Sequence, residues 1–337
     1  AKTLFPYTTL FRSLPSRHRG RRVSRHPVIA QGLSQALLRL PDRLSSLNPA
    51  GGALPAFSFF AMSYLRCGQY LLPLERPLVM GIVNLTPDSF SGDGLVGDID
   101  RAISHARAQF EAGAHILDIG AESSRPGAVP TPEDEELRRL LPVLREITCW
   151  GIPVSVDTYK PAVMRAALEA GASMINDITG MTRPGAVEAV ADSDCAVCVM
   201  HMKGEPGTMQ QAPRYEDVVA EVRDFLLCQV AYCKSAGIAA DRLVLDPGFG
   251  FGKTLDHNLV LFRQLDSLAV DDLPLLLGVS RKSMLGAITG RPVDQRLAAS
   301  ISAALVGAQK GAKILRVHDV EATRDALAIW SAIEQGV

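Results

Sequence analysis

The chain has 337 residues, of which 47% are hydrophobic and 21% are charged, with 28 glycines and 21 prolines spread along it. This balance is typical of a globular protein and excludes a chain that is disordered, collagen-like or coiled-coil throughout. No stretch approaches the roughly 18 uninterrupted apolar residues that a membrane-spanning helix needs, so we expect no integral membrane protein. The formal net charge of −1 offers no general electrostatic reason to bind nucleic acid.

The first 61 residues differ from the rest of the chain in charge. They carry nine Lys and Arg and a single acid, Asp42, so their formal charge of +8 leaves −9 for residues 62–337. This pattern fits a transit peptide or a nucleic-acid-binding arm. The segment FPYTTLFRS at 5–13, however, resembles the in-frame translation of a sequencing adapter. We therefore predict that residues 1–72 are a non-native or disordered basic extension, that the natural start lies near Met62, and that 73–337 form a single domain.

The six cysteines indicate a reducing compartment. In a chain of this length they do not make a disulfide scaffold, so a cytoplasmic location is the simpler interpretation. Cys195 and Cys198 form a C-x-x-C pair inside a hydrophobic strand pattern, where residues three apart face opposite sides. We expect buried thiols there rather than a metal or redox site.

From residue 77 onward, short Val- and Ile-rich runs alternate with longer segments of helical pattern. Eight such strand–helix units predict an α/β fold of the (β/α)8 TIM-barrel type. A doubly wound open sheet is the alternative, and it is weaker because no G-x-G-x-x-G follows the first strand. The predicted strands are 78–86, 115–121, 153–158, 174–179, 196–201, 243–248, 275–280 and 313–319, and the longer helices are 100–112, 132–149, 161–170, 215–236 and 294–310.

Polar residues recur where the predicted strands end, and this is the edge of a barrel that carries the active site. One Asp or Asn there is often only a turn former or helix cap, and we take Asp177 and Asp319 as structural. His201 fits a core histidine and a functional one equally well. The recurrence favours a concave site for a ligand with a hydrogen-bonding heterocycle at one end and a phosphate at the other. The residues at or near the predicted strand ends that we take as candidates for this site are Asn84, Asp118, Asp157, Asn176, Met200, Asp246, Lys282, Arg316 and His318.

Eight motifs in chain order resemble the dihydropteroate synthases of folate biosynthesis: NLTPDSFS, GAESSRPGA, SVDT, INDI, MHMKGEP, LDPGFGFGK, SRKS and RVHDV. The resemblance runs from about residue 77 to the end of the chain. It implies a transferase, in a homodimer of TIM barrels, that condenses 6-hydroxymethyl-7,8-dihydropterin diphosphate with p-aminobenzoate and uses Mg²⁺. The implied mechanism is SN1-like, because pyrophosphate leaves before the amine attacks.

The resemblance also assigns a role to each matching residue. Asp157, Lys282 and Asn84 are the implied catalytic residues, and Asp157 would stabilise the developing cation. The implied pterin-binding residues are Asp157, Asn176, Asp246, Lys282, Arg316 and Met200. The implied pyrophosphate-binding residues are Asn84, Arg316 and His318, and Asn84 is also the implied metal ligand. The implied p-aminobenzoate-binding residues are Phe90, Ser124, Arg125, Pro126 and Ser283.

Two departures from the family pattern concern the loops after the first two predicted strands. The first reads Ser91-Gly92-Asp93-Gly94 where Ser-Asp-Gly-Gly is common, and the second has Ser124 where Thr is usual. The role of Asp93, and whether the chain is a sulfonamide target or a resistance variant, therefore stay open.

Two other functions compete with the synthase. A methyltransferase-type pterin-binding domain would not need the Arg316 and His318 cluster. A non-catalytic barrel would not need Asn84, Asp157 and Lys282, all of which are present.

Overall fold

The computed structural model describes residues 64–85, 99–123 and 127–335. Within these ranges eight parallel strands close into a barrel, which confirms the predicted TIM barrel and excludes the open sheet. The strands are β1 (Tyr64–Cys67), β2 (Tyr70–Pro73), β3 (Leu78–Asn84), β4 (Ile116–Gly120), β5 (Val154–Asp157), β6 (Met174–Asp177), β7 (Ala196–Met200), β8 (Leu243–Asp246), β9 (Leu275–Leu277) and β10 (Ala312–Val317). The barrel strands pair in the order β10-β3-β4-β5-β6-β7-β8-β9, and an antiparallel hairpin of β1 and β2 precedes them.

Helices follow the barrel strands and form the outer layer. Pro161 opens one of them, where its missing N–H costs no hydrogen bond. The Asp217 carboxylate caps another by accepting from the amides of Val219 and Ala220. Among the described residues, no helix has the length and apolar character needed to cross a bilayer. The helices are α1 (Ile99–Glu111), α2 (Glu133–Ile147), α3 (Pro161–Glu169), α4 (Ala186–Val190), α5 (Val218–Ser235), α6 (Leu255–Arg263), α7 (Ser283–Thr289), α8 (Leu297–Gln309) and α9 (Val320–Gln335).

The barrel strands are short apolar runs because both of their faces are covered. Five of them are buried at every position, with helices against one face and the barrel interior against the other. The outward-facing side chains join the helices in one large core. The inward-facing ones form a second cluster at the amino end of the barrel, which includes Met80, Ile116, Met174, Val244 and Ile314.

The β1–β2 hairpin closes this amino end. Leu65 and Cys67 are fully buried within the interior cluster, and the Cys67 thiol donates to the Ser173 carbonyl at 3.3 Å. Arg66 pairs with Asp241 at 2.9 Å on the rim. The domain boundary predicted after residue 72 therefore falls too late, because the described part of the predicted extension packs into the barrel. Residues 1–63, with the expected natural start at Met62, lie outside the described residues.

Replacing Leu65 with Ala should test whether the hairpin stabilises the barrel. The substitution leaves a cavity at the amino end, and we expect the free energy of unfolding to fall by about 2–5 kcal/mol. Leu71→Ala on the same hairpin is the matched control, because Leu71 is 62% exposed. It should cost no more than about 0.5 kcal/mol in denaturant unfolding. Equal losses for the two variants would show that the hairpin is not part of the core.

Candidate active site

The register of the barrel strands places three predicted site residues, Asn84, Asp157 and Asn176, in one row at the carboxyl end. Asn84 pairs with Gly120, Gly120 with Asp157, and Asp157 with Asn176. Paired residues of parallel strands project to the same side of a sheet, so the polar side chains of this row share one face. Met200 pairs with Asp246 on the following two strands. The structure thus brings together residues that are scattered over the sequence.

Arg316, on β10, holds two carboxylates across the barrel. Its Nε donates to Asp118 Oδ2 at 2.6 Å, and its Nη2 donates to Asp157 Oδ2 at 2.9 Å. Asp118 is fully buried, while Asp157 and Arg316 keep 15% and 19% of their side chains exposed. The sequence placed Asp118 in a strand but assigned it no role. The structure shows that Asp118, inside the barrel, holds the Arg316 guanidinium in place.

Burial sets the protonation of this group. Two carboxylates share one guanidinium, and burial raises the pKa of Asp157 above its usual range although Arg316 opposes the shift. Burial also raises the pKa of Asp246 and lowers that of Lys282 to about 8. The pKa values of these groups are therefore shifted toward neutral pH from those of exposed residues of the same types. Such shifts are characteristic of sites that handle charge during a reaction.

The glycine-rich turn after β8 orders the opposite wall. Asp246 Oδ1 accepts from the Gly248 amide at 2.7 Å, and Lys282 Nζ donates to the Phe249 carbonyl at 2.5 Å. Gly248 has φ +69°, and a Cβ there would lie 1.9 Å from the His201 carbonyl oxygen, so only glycine fits. The Phe251 ring centroid lies 4.7 Å from Lys282 Nζ. Phe251 is thus an aromatic wall of the site that the sequence interpretation missed.

Lys253 supports this turn from beneath. Its Nζ is buried and donates to the carbonyls of Gly248 and Phe251 at 2.9 and 3.1 Å. It also lies 2.9 Å from His201 Nδ1, and burial together with Lys253 lowers the pKa of His201 to about 2. His201 is thus buried beneath the turn and packed against Lys253, a position that favours the interpretation as a core histidine.

Several buried acceptors of the site have no hydrogen-bond partner among the described residues. Asn176 Oδ1, Asp118 Oδ1 and the Ser155 hydroxyl oxygen are inaccessible to solvent and accept no hydrogen bond there. Leaving such atoms unsatisfied is costly, so they indicate where ligand or solvent donors belong. A heterocycle with several N–H groups supplies donors of this kind.

The predicted phosphate-binding residues occupy the adjoining strand ends. His318 follows β10, and its Nδ1 lies 3.0 Å from the Ser280 hydroxyl. The half-buried Asn84 ends β3, and the exposed Ser283 opens α7 directly after Lys282. The predicted residues Phe90, Ser124, Arg125 and Pro126, and Asp93 with them, lie outside the described residues.

A buried ionic cluster beside the site had no sequence prediction. Lys160 Nζ contacts the carboxylates of Glu122 and Glu136 and donates to the Thr131 carbonyl at 2.7 Å. The Tyr159 hydroxyl donates to Glu122 at 2.7 Å. The cluster ties the residues after β4 to the segment that follows Asp157. Its members are common surface residue types, so only the packing distinguishes them.

The described residues contain no group of three His, Cys, Asp or Glu side chains that could hold a metal ion. Cys195 and Cys198 are free and buried, as expected for core thiols, and burial raises the pKa of both. Asp177 accepts from the amides of Thr179 and Met181, so its predicted structural role is confirmed.

Curated relatives are similar over most of the barrel. The chain is 47% identical to the dihydropteroate synthase of Escherichia coli K12 over 262 residues, which are 77% of this chain and 93% of that protein. It is 48% identical to the dihydropteroate synthase of Neisseria meningitidis serogroup C over 273 residues, which are 80% of this chain and 96% of that protein.

Solved structures of dihydropteroate synthases are also similar to this chain over most of its length. Burkholderia cenocepacia dihydropteroate synthase complexed with 7,8-dihydropteroate superimposes with a TM-score of 0.75 at 50% identity, covering 81% of this chain and 97% of that one. The Yersinia pestis dihydropteroate synthase with a sulfonamide drug complex superimposes with a TM-score of 0.79 at 45% identity. The match covers 81% of this chain and 100% of that one. The Xanthomonas albilineans dihydropteroate synthase with 4-aminobenzoic acid superimposes with a TM-score of 0.76 at 49% identity. The match covers 82% of this chain and 99% of that one.

The sequence profile described as pterin binding enzyme matches residues 80–318, which span the barrel from β3 to the residue after β10. The match includes the Asp157 row, the Arg316 carboxylate pair and the glycine-rich turn. The chain therefore belongs to the family of pterin-binding enzymes.

Proposed function

We infer that this chain is a dihydropteroate synthase, a transferase that condenses 6-hydroxymethyl-7,8-dihydropterin diphosphate with p-aminobenzoate and releases pyrophosphate. The observation that carries this inference is the cluster of unsatisfied buried acceptors beside the Arg316 carboxylate pair, in a barrel close in sequence to synthases from several bacteria. Relatives of this fold have been solved with dihydropteroate, with 4-aminobenzoic acid and with a sulfonamide drug.

The pterin would lie against the row at the carboxyl ends of β5, β6 and β8. Asp157, Asn176 and Asp246 present acceptors to the N–H groups of the amino-pyrimidinone edge. Lys282 has only donors, so it suits the ring carbonyl. Met200, buried at the end of β7, would supply an apolar surface beneath the ring.

The diphosphate would lie between Arg316, His318 and Asn84. A guanidinium has five N–H donors, and the two carboxylate contacts of Arg316 leave others for phosphate oxygens or for stacking on the pterin. With Asp118 and Asp157 already paired to it, the guanidinium is held in place before substrate arrives. A fixed donor needs no reorganisation when charge develops on the leaving group.

The residues present fit a Mg²⁺ ion that arrives with the diphosphate. Mg²⁺ is commonly held by substrate phosphates, water and one or two protein oxygens rather than by a full protein cage. The Asn84 amide oxygen would supply such a ligand, because Asn84 ends β3 on the row beside Gly120. When bound, the ion would neutralise charge on the departing pyrophosphate.

We assign Asp157 to the stabilisation of the pterin methylene cation that forms when pyrophosphate leaves. A carboxylate favours positive charge in a site with little water, and a neutral amide would do so poorly. The p-aminobenzoate amine then forms the new C–N bond at the methylene carbon and releases a proton. Phe90, Ser124, Arg125, Pro126 and Ser283 are the proposed p-aminobenzoate-binding residues, and sulfonamides would compete there.

We further propose a cytoplasmic homodimer. Several large apolar side chains on the last helices are exposed, among them Leu297 and Val306 on α8 and Ile329 and Ile333 on α9, with exposed fractions of 42–75%. Apolar surface of this kind is often covered by a protein partner. A second copy of the chain is the partner that we propose, and sedimentation of the Ile329→Glu, Ile333→Glu variant tests it.

The function is tested by incubating the full chain with the dihydropterin diphosphate and Mg²⁺, with and without p-aminobenzoate. We expect pyrophosphate release to be accompanied by an equal amount of dihydropteroate when both substrates are present. Binding of the pterin without any dihydropteroate would instead favour a pterin-binding domain of another activity.

Asp157→Asn should reduce turnover by at least about 100-fold, because the amide cannot stabilise the cation. Folding should be largely preserved, since Arg316 keeps its contact with Asp118. Initial rates and thermal unfolding measure the two effects. Asp192→Asn, at an exposed residue, is the control and should match the wild type. An Asp157→Asn enzyme with normal turnover would refute the assignment.

The pH dependence of kcat/KM should be bell-shaped, because this parameter reports ionisations of the free enzyme. Lowering the pH protonates Asp157, whose pKa is raised by burial, and activity falls. Raising the pH above about 8 removes the Lys282 proton, and activity falls again.

Lys282→Arg provides the matched test of the alkaline limb. Arginine keeps its charge throughout the accessible range, so this limb should move beyond pH 9 even if the maximum rate drops. The acid limb, to which the substrate diphosphate also contributes, should stay where it is. An alkaline limb unchanged in Lys282→Arg would assign it to another group.

A further inference from the structure

Two turns at the carboxyl end of the barrel are joined by an ion pair that the reaction described above does not use. Arg281, before Lys282, donates from Nη2 to Asp319 Oδ1 at 2.6 Å and from Nε to Oδ2 at 3.1 Å. Asp319 directly follows His318. The pair therefore connects the neighbour of a proposed pterin-binding residue to the neighbour of a proposed phosphate-binding residue.

A second contact runs parallel to the ion pair. The Ser280 hydroxyl lies 3.0 Å from His318 Nδ1 and accepts from the His318 amide at 3.3 Å. Consecutive residues of the β9 turn, Ser280 and Arg281, thus contact consecutive residues after β10. Two adjacent contacts restrict both the distance and the rotation between the turns.

The backbone of Arg281 is held in an unusual conformation. Its φ of +58° lies in the left-handed region, which non-glycine residues adopt rarely. The Arg281 amide donates to the buried Ser300 hydroxyl at 2.9 Å, and its carbonyl accepts from Arg296 at 3.0 Å. Such a conformation persists only where its surroundings enforce it, and it is common at functional sites. Here it directs Lys282 toward the Phe249 carbonyl, inside the barrel mouth.

We propose that Arg281 and Asp319 are positioning residues, whose ion pair holds the turn that carries Lys282 against the end of the strand before His318. The groups that bind the pterin and the diphosphate are thereby kept at a fixed separation. The proposal rests on the function inferred above. Both side chains keep about one-fifth of their surface exposed, so water can still reach a polar replacement at either position. We therefore expect the loss of the pair to affect binding and turnover more than unfolding.

The variants Asp319→Asn and Arg281→Asn separate the ion pair from other roles. Asn is as good a helix N-cap residue as Asp, so the start of α9 is kept. Asn also tolerates positive φ better than most residues, so the turn at 281 is not newly strained. The control is Asp271→Asn, which removes the Lys234–Asp271 pair of 2.9 Å, another partly exposed ion pair at a residue with positive φ.

We expect each variant to lose about tenfold in kcat/KM for the dihydropterin diphosphate and to bind inorganic pyrophosphate several-fold more weakly by calorimetry, with melting within about 3 °C of the wild type. The double variant should be no worse than either single one, because both break the same interaction. Asp271→Asn should leave all three measurements unchanged.

The proposal is overturned if both single variants keep wild-type kcat/KM and pyrophosphate affinity, or if the two losses multiply in the double variant. It is also overturned if melting falls in proportion to activity, since the pair would then act only on stability. A wild-type chain that binds pyrophosphate but makes no dihydropteroate would refute the inferred function. The pyrophosphate affinities of the variants would still decide the role of the pair.

Discussion

The Arg316 guanidinium is the interaction on which the arrangement of the site depends. It reaches from the last barrel strand to carboxylates on the second and third, so it exists only once the barrel has closed between β10 and β3. A buried charge is tolerated when it is paired and hydrogen-bonded. The pair with Asp118 meets this need, and it leaves Asp157 at the mouth, close enough to be oriented and exposed enough to meet a ligand.

This arrangement divides the barrel interior into two parts with different chemistry. The amino end is apolar and is closed by the β1–β2 hairpin, while the carboxyl end holds carboxylates, amides, Lys282 and Arg316. Charged groups at the mouth are therefore backed by an apolar core, and its low dielectric strengthens the electrostatic interactions among them. The same burial moves their pKa values toward neutrality. The amino end of the barrel thus adds to the apolar core, while the carboxyl end presents the charged groups.

The turns at the barrel mouth are held by side chains that touch no proposed substrate group. Lys253 supports the glycine-rich turn, Lys160 joins the segments after β4 and β5, and Arg281 joins those after β9 and β10. Each uses a Lys or Arg side chain that donates to carbonyl or carboxylate oxygens. A site built on turns needs such supports, because side-chain positions must be held closely for catalysis.

The eight units and most of the strand-end residues could be predicted from the sequence, because a strand covered on both faces must be apolar and each polar interruption then stands out. Asp157, Asn176 and Asp246 were found in this way, and the register brings them to one end. The partners of Arg316 could not be predicted, since Asp118 and Asp157 lie 198 and 159 residues away and no local pattern records which carboxylates will share a cation. The role of the hairpin could not be predicted either, because a four-residue strand is too short to show a clear hydrophobic pattern. Only the closed barrel shows that the apolar residues of the hairpin fill its amino end. Local patterns dictate strands and helices, whereas barrel closure decides which distant charges meet.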